Sequence, residues 1–226
     1  MIRPRHRFAG VLLLLLLGVG GATPLDAQTS DGRFEVTPRV GVHIPLADRI
    51  RSTGTGGGGS TSELVIEQEV GPVIGAGLTA WLTESWGVEG SLGYSVSNLR
   101  VTVDGAPPPG DGEADAALWS GTVGAVFRRT LGNRTSLRLM GGLMILDHAD
   151  RGGSTTWEGT RGTTDLGGFL GAGVHIGLSD RTAFGIDARD YVFPAQFEGI
   201  GIGSTDRRLQ NDLVLTAGLT FELGTR

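Results

Sequence analysis

Near its end the chain runs Leu213-Val-Leu-Thr-Ala-Gly-Leu-Thr-Phe-Glu-Leu223. Leu213, Leu215, Ala217, Leu219, Phe221 and Leu223 make one set; Val214, Thr216, Gly218, Thr220 and Glu222 make the other. A period of two residues is that of an extended strand with unlike faces. The same alternation recurs in seven earlier segments, roughly 34–46, 71–82, 88–97, 117–127, 137–145, 166–176 and 184–189. In each, large apolar residues share one face, while Gly, Ser and Thr dominate the other. A soluble sheet would set charged residues against its apolar face; here the second face is small and uncharged for most of its length.

The connections alternate as well. Three are short, at 83–85, 130–134 and 179–181; four are long and polar, at 47–68, 103–115, 149–164 and 194–208. Hairpins with one tight and one elaborated end, built from segments of about ten residues, are what a membrane-crossing β-barrel requires. The expected fold is all-β: an eight-stranded antiparallel up-and-down transmembrane barrel, its Leu, Val and Ile face toward lipid. Eight strands put both ends of the chain on the tight-turn side. The interior of so small a barrel is narrow. Gly75, Gly77, Gly93, Gly124, Gly142, Gly171, Gly173 and Gly218 leave room there for a few large polar side chains. Phe34, Trp86, Phe127, Phe184 and Phe221 near the tight turns, and Tyr94 and Trp119 toward the long loops, suit two aromatic girdles.

The N-terminus fits this scheme. Met1-Ile-Arg-Pro-Arg-His-Arg7 precedes a short apolar run with six consecutive leucines, Leu12 to Leu17, and then small residues. That is the pattern of a secretory signal peptide. The expected organisation is a cleaved leader over 1–27, with Ala22 as the other cleavage position, and a barrel domain over 28–226. There is no cysteine, hence no lipobox and no disulfide. The formal charge of the whole chain is −5. Losing Arg3, Arg5, Arg7 and Asp26 with the leader makes it more negative, so nucleic acid is excluded as a partner.

On these residues the chain resembles the small bacterial outer-membrane β-barrels of the OmpX, OmpW and OmpA transmembrane-domain type. The resemblance covers the mature chain. It rests on the strand and loop pattern, on Phe34-Glu-Val-Thr-Pro-Arg-Val-Gly-Val-His-Ile-Pro-Leu46 as opening strand and on Leu209-Gln-Asn-Asp-Leu-Val-Leu-Thr-Ala-Gly-Leu-Thr-Phe221 as closing strand. It implies an outer-membrane location and a last strand bearing a terminal aromatic. Here Phe221 is followed by five further residues.

Candidate chemistry lies inside the barrel. Arg39, Glu89, Arg138, Asp187 and Arg189 have inward parity, and charges out of water must pair. They are expected to form an interior polar network. Its ordinary role is a plug; its sharper one is a gated conduit for small or apolar solutes. Glu35, Glu69, Asp212 and Glu222 also point inward, but near strand ends where water is expected to reach them. His43 and His175 are inward. His148, with Asp147, Asp150 and Ser154, sits at the loop-side rim, where a lipid-modifying site would belong, yet no recognisable catalytic motif surrounds it. The Gly tract within Thr53–Ser62 lacks the Gly-Lys-Ser/Thr ending of a phosphate loop. The acidic, Pro-rich segment from Asp104 to Asp115 lacks calcium-loop spacing. No zinc spacing occurs. No catalytic residue, metal or cofactor is expected. The expected partners are outer-membrane lipid and an extracellular ligand or surface met by the long loops, with the protein a monomer. A soluble lipocalin-like barrel is the remaining alternative.

Overall fold

In the computed structural model, residues 33–46, 50–55, 61–104, 112–150, 164–195, 198–199, 203–204 and 208–223 are described. The strands are β1 (Arg33–Pro45), β2 (Ile50–Thr55), β3 (Thr61–Gln68), β4 (Gly71–Trp81), β5 (Trp86–Asp104), β6 (Gly112–Thr130), β7 (Thr135–Asp150), β8 (Thr164–Gly177), β9 (Thr182–Ala195), β10 (Glu198–Gly199), β11 (Gly203–Ser204) and β12 (Arg208–Leu223). Eight of them form the wall: β1, β4, β5, β6, β7, β8, β9 and β12. Each pairs antiparallel with the next, and β12 pairs back to β1.

The register fixes the geometry of closure. From Glu35 the register partners run Thr79, Glu89, Gly124, Gly142, Phe169, Tyr191 and Asp212, and return to β1 at Pro45. The circuit climbs ten residues along β1, from 35 to 45. A stagger of that size on eight strands tilts them by about 35–45° to the barrel axis, as membrane barrels do. The β1–β12 ladder skips Thr37 and Pro38, between Val36↔Phe221 and Arg39↔Gly218. Proline has no N–H to donate, so the gap falls where the chemistry requires it.

Alternation sorts the side chains as expected. Val40, Ile74, Leu92, Leu143, Leu170, Ile186 and Leu215 point outward and are exposed. Trp86 stacks near Phe127 at 5.0 Å between ring centroids, and Tyr94 near Trp119 at 4.6 Å, one pair toward each end of the wall.

Two expectations need correction. The long connections are not simply loops. β5 and β6 reach 19 residues each, and the first connection contains the β2–β3 hairpin. The ends of the Gly tract, Thr53–Thr55 and Thr61–Ser62, belong to that hairpin, and residues 56–60 lie outside the described residues. β3 pairs with the outer part of β5, from Gln68↔Leu99 to Glu63↔Asp104, taking the edge that β4 gives up after Val73↔Ser95. Backbone pairing continues past the point where water replaces lipid, and there no membrane enforces one apolar face, so the pattern underestimates strand length.

The second correction concerns the lining. Gly and Thr line only part of the interior. Val73, Leu118, Met144, Leu146, Phe169, Tyr191, Phe193 and Val214 are buried inside the barrel, in its half nearer the long connections. They interlock as a small apolar core, with Phe169 and Tyr191 edge to face at 6.3 Å.

Candidate functional site

The half of the interior nearer the tight turns is built from charges, and glycines make the space. Glu89 on β5 is its centre. Arg189 of β9 donates from Nη2 to Glu89 Oε1 at 2.6 Å, and Arg39 of β1 donates from Nη2 to the same oxygen at 3.2 Å. Thr79 Oγ1 donates to Oε2 at 3.2 Å. Arg189 Nη1 also reaches Ser91 Oγ at 3.2 Å. Three strands that are not neighbours are thereby tied across the lumen. Arg39 lies over Gly77, and the stem of Arg189 passes 3.1 Å from where a Cβ on Gly171 would sit.

A second cluster lies toward the tight turns. Arg138 Nη2 donates to Glu35 Oε2 at 2.7 Å, and Arg128 Nη1 to Oε1 at 3.4 Å. Both guanidinium groups face the ring of the buried Trp81, at 4.1 Å for Arg128 and 5.3 Å for Arg138. Asp187 accepts from His175 Nε2 at 3.1 Å. These two lie diagonally on adjacent strands, and each faces a glycine: His175 is paired with Gly185, and Asp187 with Gly173. A Cβ at Gly185 would stand 2.6 Å from the imidazole. The narrow bore admits this pair only because the opposing positions have no side chain.

Of the five interior residues singled out from the sequence, Arg39, Glu89 and Arg189 touch. Arg138 belongs instead to the Glu35 cluster, and Asp187 to His175. Glu35 and Asp212 are not reached by water as expected: Glu35 is buried under Arg138, and Asp212 is 0% exposed, accepting from His43 Nε2 at 2.8 Å. Both lie inside the wall because the tilted strands continue past them. Glu69 instead pairs with Arg100 at 2.6 Å on the exposed surface. Arg128 and Trp81 were missed. Their parity was readable, but each stands at the end of an apolar run and looks like part of a turn.

At the rim, Asp147 accepts from Thr164 at 3.1 Å. The side chains of His148 and Asp150, and Ser154 altogether, lie outside the described residues. Among the described residues no group of three or more His, Cys, Asp or Glu could hold a metal.

A closed, tilted eight-strand wall with a lipophilic outside and a filled polar and apolar inside defines a small transmembrane β-barrel. A family described as "Outer membrane protein beta-barrel domain" matches residues 12–221. The chain belongs to that family, and the protein is located in the outer membrane. Among solved structures it is similar to the outer membrane protein OprG from Pseudomonas aeruginosa, with 14% identity, 86% of this chain and 97% of that one covered, and a TM-score of 0.62. It is also similar to AlkL in DMPC lipid bilayers (12% identity, 91% and 96% covered, TM-score 0.55) and to Neisserial surface protein A, NspA (14%, 84% and 97%, TM-score 0.50). At these identities the likeness is one of fold. No protein with a curated description matches the sequence.

Proposed function

We propose that this barrel does not conduct and does not catalyse, and that it serves as a structural and surface-interaction protein acting through its outer end. The observation that carries this reading is the Arg39–Glu89–Arg189 bridge across the lumen, with the apolar core of Phe169, Tyr191 and Phe193 beyond it toward the long connections. Two successive fillings of different chemistry leave a solute without a continuous path. β5 and β6, at 19 residues each, are roughly twice the 9–11 residues needed to span lipid. They raise the β2–β3 hairpin and the remaining connections above the membrane, where an extracellular ligand or surface is met.

The test is conductance of the purified barrel in a planar bilayer. The expected result is a baseline with no lasting unitary steps. Sustained steps in wild type would overturn the closed reading.

A second reading has one observation in its favour. The outer half of the interior is apolar, as a route for apolar solutes would be. On this reading, loading of liposomes with a small apolar solute would be faster with the barrel than without it. Equal rates would dispose of it.

A further inference from the structure

Asp190 stands on the outside of the wall. On β9, Asp187, Arg189, Tyr191 and Phe193 are buried inside the barrel, while Phe184 and Ile186 are exposed outside. Alternation puts Asp190 with the second set. Its register partners are Leu170 on β8 and Leu213 on β12. Phe184, of the tight-turn girdle, lies six residues lower on the same strand. Six residues of a tilted strand rise about 15 Å, in an apolar band about 25 Å tall. Apolar residues continue above Asp190, with Val192 on β9 and the exposed Leu166 and Leu209 on the strands beside it. Between the two girdles, the other outward residues of the eight wall strands are apolar, aromatic or glycine. Among the described residues, Asp190 is thus the one charged group on the lipid-facing surface.

Ionisable groups inside a membrane pair with one another or mark a function. No cation faces Asp190 from β8 or β12, whose nearest outward residues are Gly168, Leu170, Leu213 and Asn211. Hydrocarbon offers a carboxyl group nothing. Its partner must therefore arrive in the plane of the membrane and at the same depth. A closed barrel needs no partner for its backbone; this side chain does. A two-fold axis along the membrane normal sets equal depths against each other, and so brings Asp190 to Asp190 of the partner subunit. Two carboxyl groups in contact satisfy each other by sharing protons, because adjacent like charges cannot both stay ionised. In lipid, polar pairs of this kind hold surfaces together where apolar contact alone gives no preference. Aspartate is short, so the two walls must approach closely. The outward positions around it permit that: Ala188 is the next one on β9, Ala172 lies opposite Ala188 on β8, and Gly168 lies opposite Val192.

We propose that this face is a self-association site: two copies of the barrel meet along β8 and β9 about a two-fold axis, and Asp190 of each completes the site of the other. The pairing stands apart from the functional reading. A conducting dimer would refute that reading alone, and a closed monomer would refute the pairing alone.

The experiment is fluorescence energy transfer between copies of the full-length barrel diluted in phosphatidylcholine vesicles. The chain has no cysteine. Gly132→Cys, in the β6–β7 turn where an added Cβ meets nothing within 4 Å, therefore carries the donor or acceptor dye alone. With Asp190 intact, transfer above the random-collision level is expected, rising linearly with acceptor fraction as it does for pairs. Asp190→Asn keeps a group that both donates and accepts, and is expected to retain the transfer. Asp190→Leu is expected to reduce it to the random level while the barrel keeps its unboiled gel mobility; this change removes a charge from lipid, so folding should not suffer. Should that variant not fold, Asp190→Val is read in the same way. Transfer at the random level with Asp190 intact would leave the carboxyl group facing lipid or a different protein, and overturns the proposal. So does transfer that persists in folded Asp190→Leu, or that is lost in folded Asp190→Asn. A steeper than linear dependence on acceptor fraction would mean larger assemblies, and overturns the two-fold pair.

Discussion

Glu89 holds two guanidinium groups, and removing it strands both out of water. Breaking a buried ion pair by deleting one partner costs about 3–5 kcal/mol. Glu89→Ala is therefore expected to lower the urea midpoint of the barrel in micelles steeply. Glu89→Gln, which keeps the shape, should fall less. Unchanged midpoints in both would show that the bridge contributes nothing net. Glycine matters as much as charge at this scale. Gly185→Val sets a branched side chain where the His175 ring lies, and is expected to separate His175 from Asp187; an unchanged His175 ring resonance would contradict this. Inward parity of Arg39, Glu89, Arg189 and both interior histidines was legible in the sequence, because alternation alone decides it. Partner choice was not. It depends on how far the strands are staggered, and no residue states that. Arg138 reaching Glu35 rather than Glu89 is a consequence of register.

At the scale of elements, the membrane part of each strand was readable and its extension was not. Lipid enforces one apolar face, so 71–82 and 213–223 announce themselves. Above the lipid no single apolar face is enforced: Leu99, Val101 and Val103 still alternate with Arg100, Thr102 and Asp104, but Leu64, Val65 and Ile66 fall on both faces of their strand. The inward apolar residues were hidden for a related reason: Leu118, Leu146, Tyr191 and Phe193 lie where the segment looks apolar on both faces. The lipid-facing assignment is directly testable. Leu143, on β7, is 61% exposed on the outside of the wall. Leu143→Arg near mid-bilayer should cost about 2–4 kcal/mol, against at most about 1 kcal/mol for an arginine at the interface. A negligible effect on folding into vesicles would mean that this face does not meet lipid. The β2–β3 hairpin, in contrast, is paired among the described residues only to the outer part of β5. Replacing it with a short linker is expected to leave the barrel resistant to cold detergent; loss of that resistance would make the hairpin part of the membrane fold.

For the whole molecule, the wall is a closed ladder in which every stave has two neighbours, so no backbone edge faces hydrocarbon. Such a structure should remain folded in detergent until boiled, and run differently on a gel before and after. Recovery of the protein in solution without detergent would reverse inside and outside. The interior adds a second set of ties: Arg39, Glu89 and Arg189 sit on strands separated around the circumference, so deforming the wall strains the bridge. Stability of wall and filling should therefore be lost together in one transition.

The seam between β1 and β12 has a consequence in time. The strand that emerges first must pair with the one that emerges last, and Thr37 bonds Thr220 across 183 positions of chain at 3.0 Å. Until the final stave is made, β1 has a bare edge and the circuit that starts at Glu35 has nowhere to end. A ribosome or an export channel cannot hand over a half-finished version of this molecule that is smaller but sound. Assembly has to wait for the whole polypeptide, and in the interval the chain depends on something else to keep its apolar face from its neighbours.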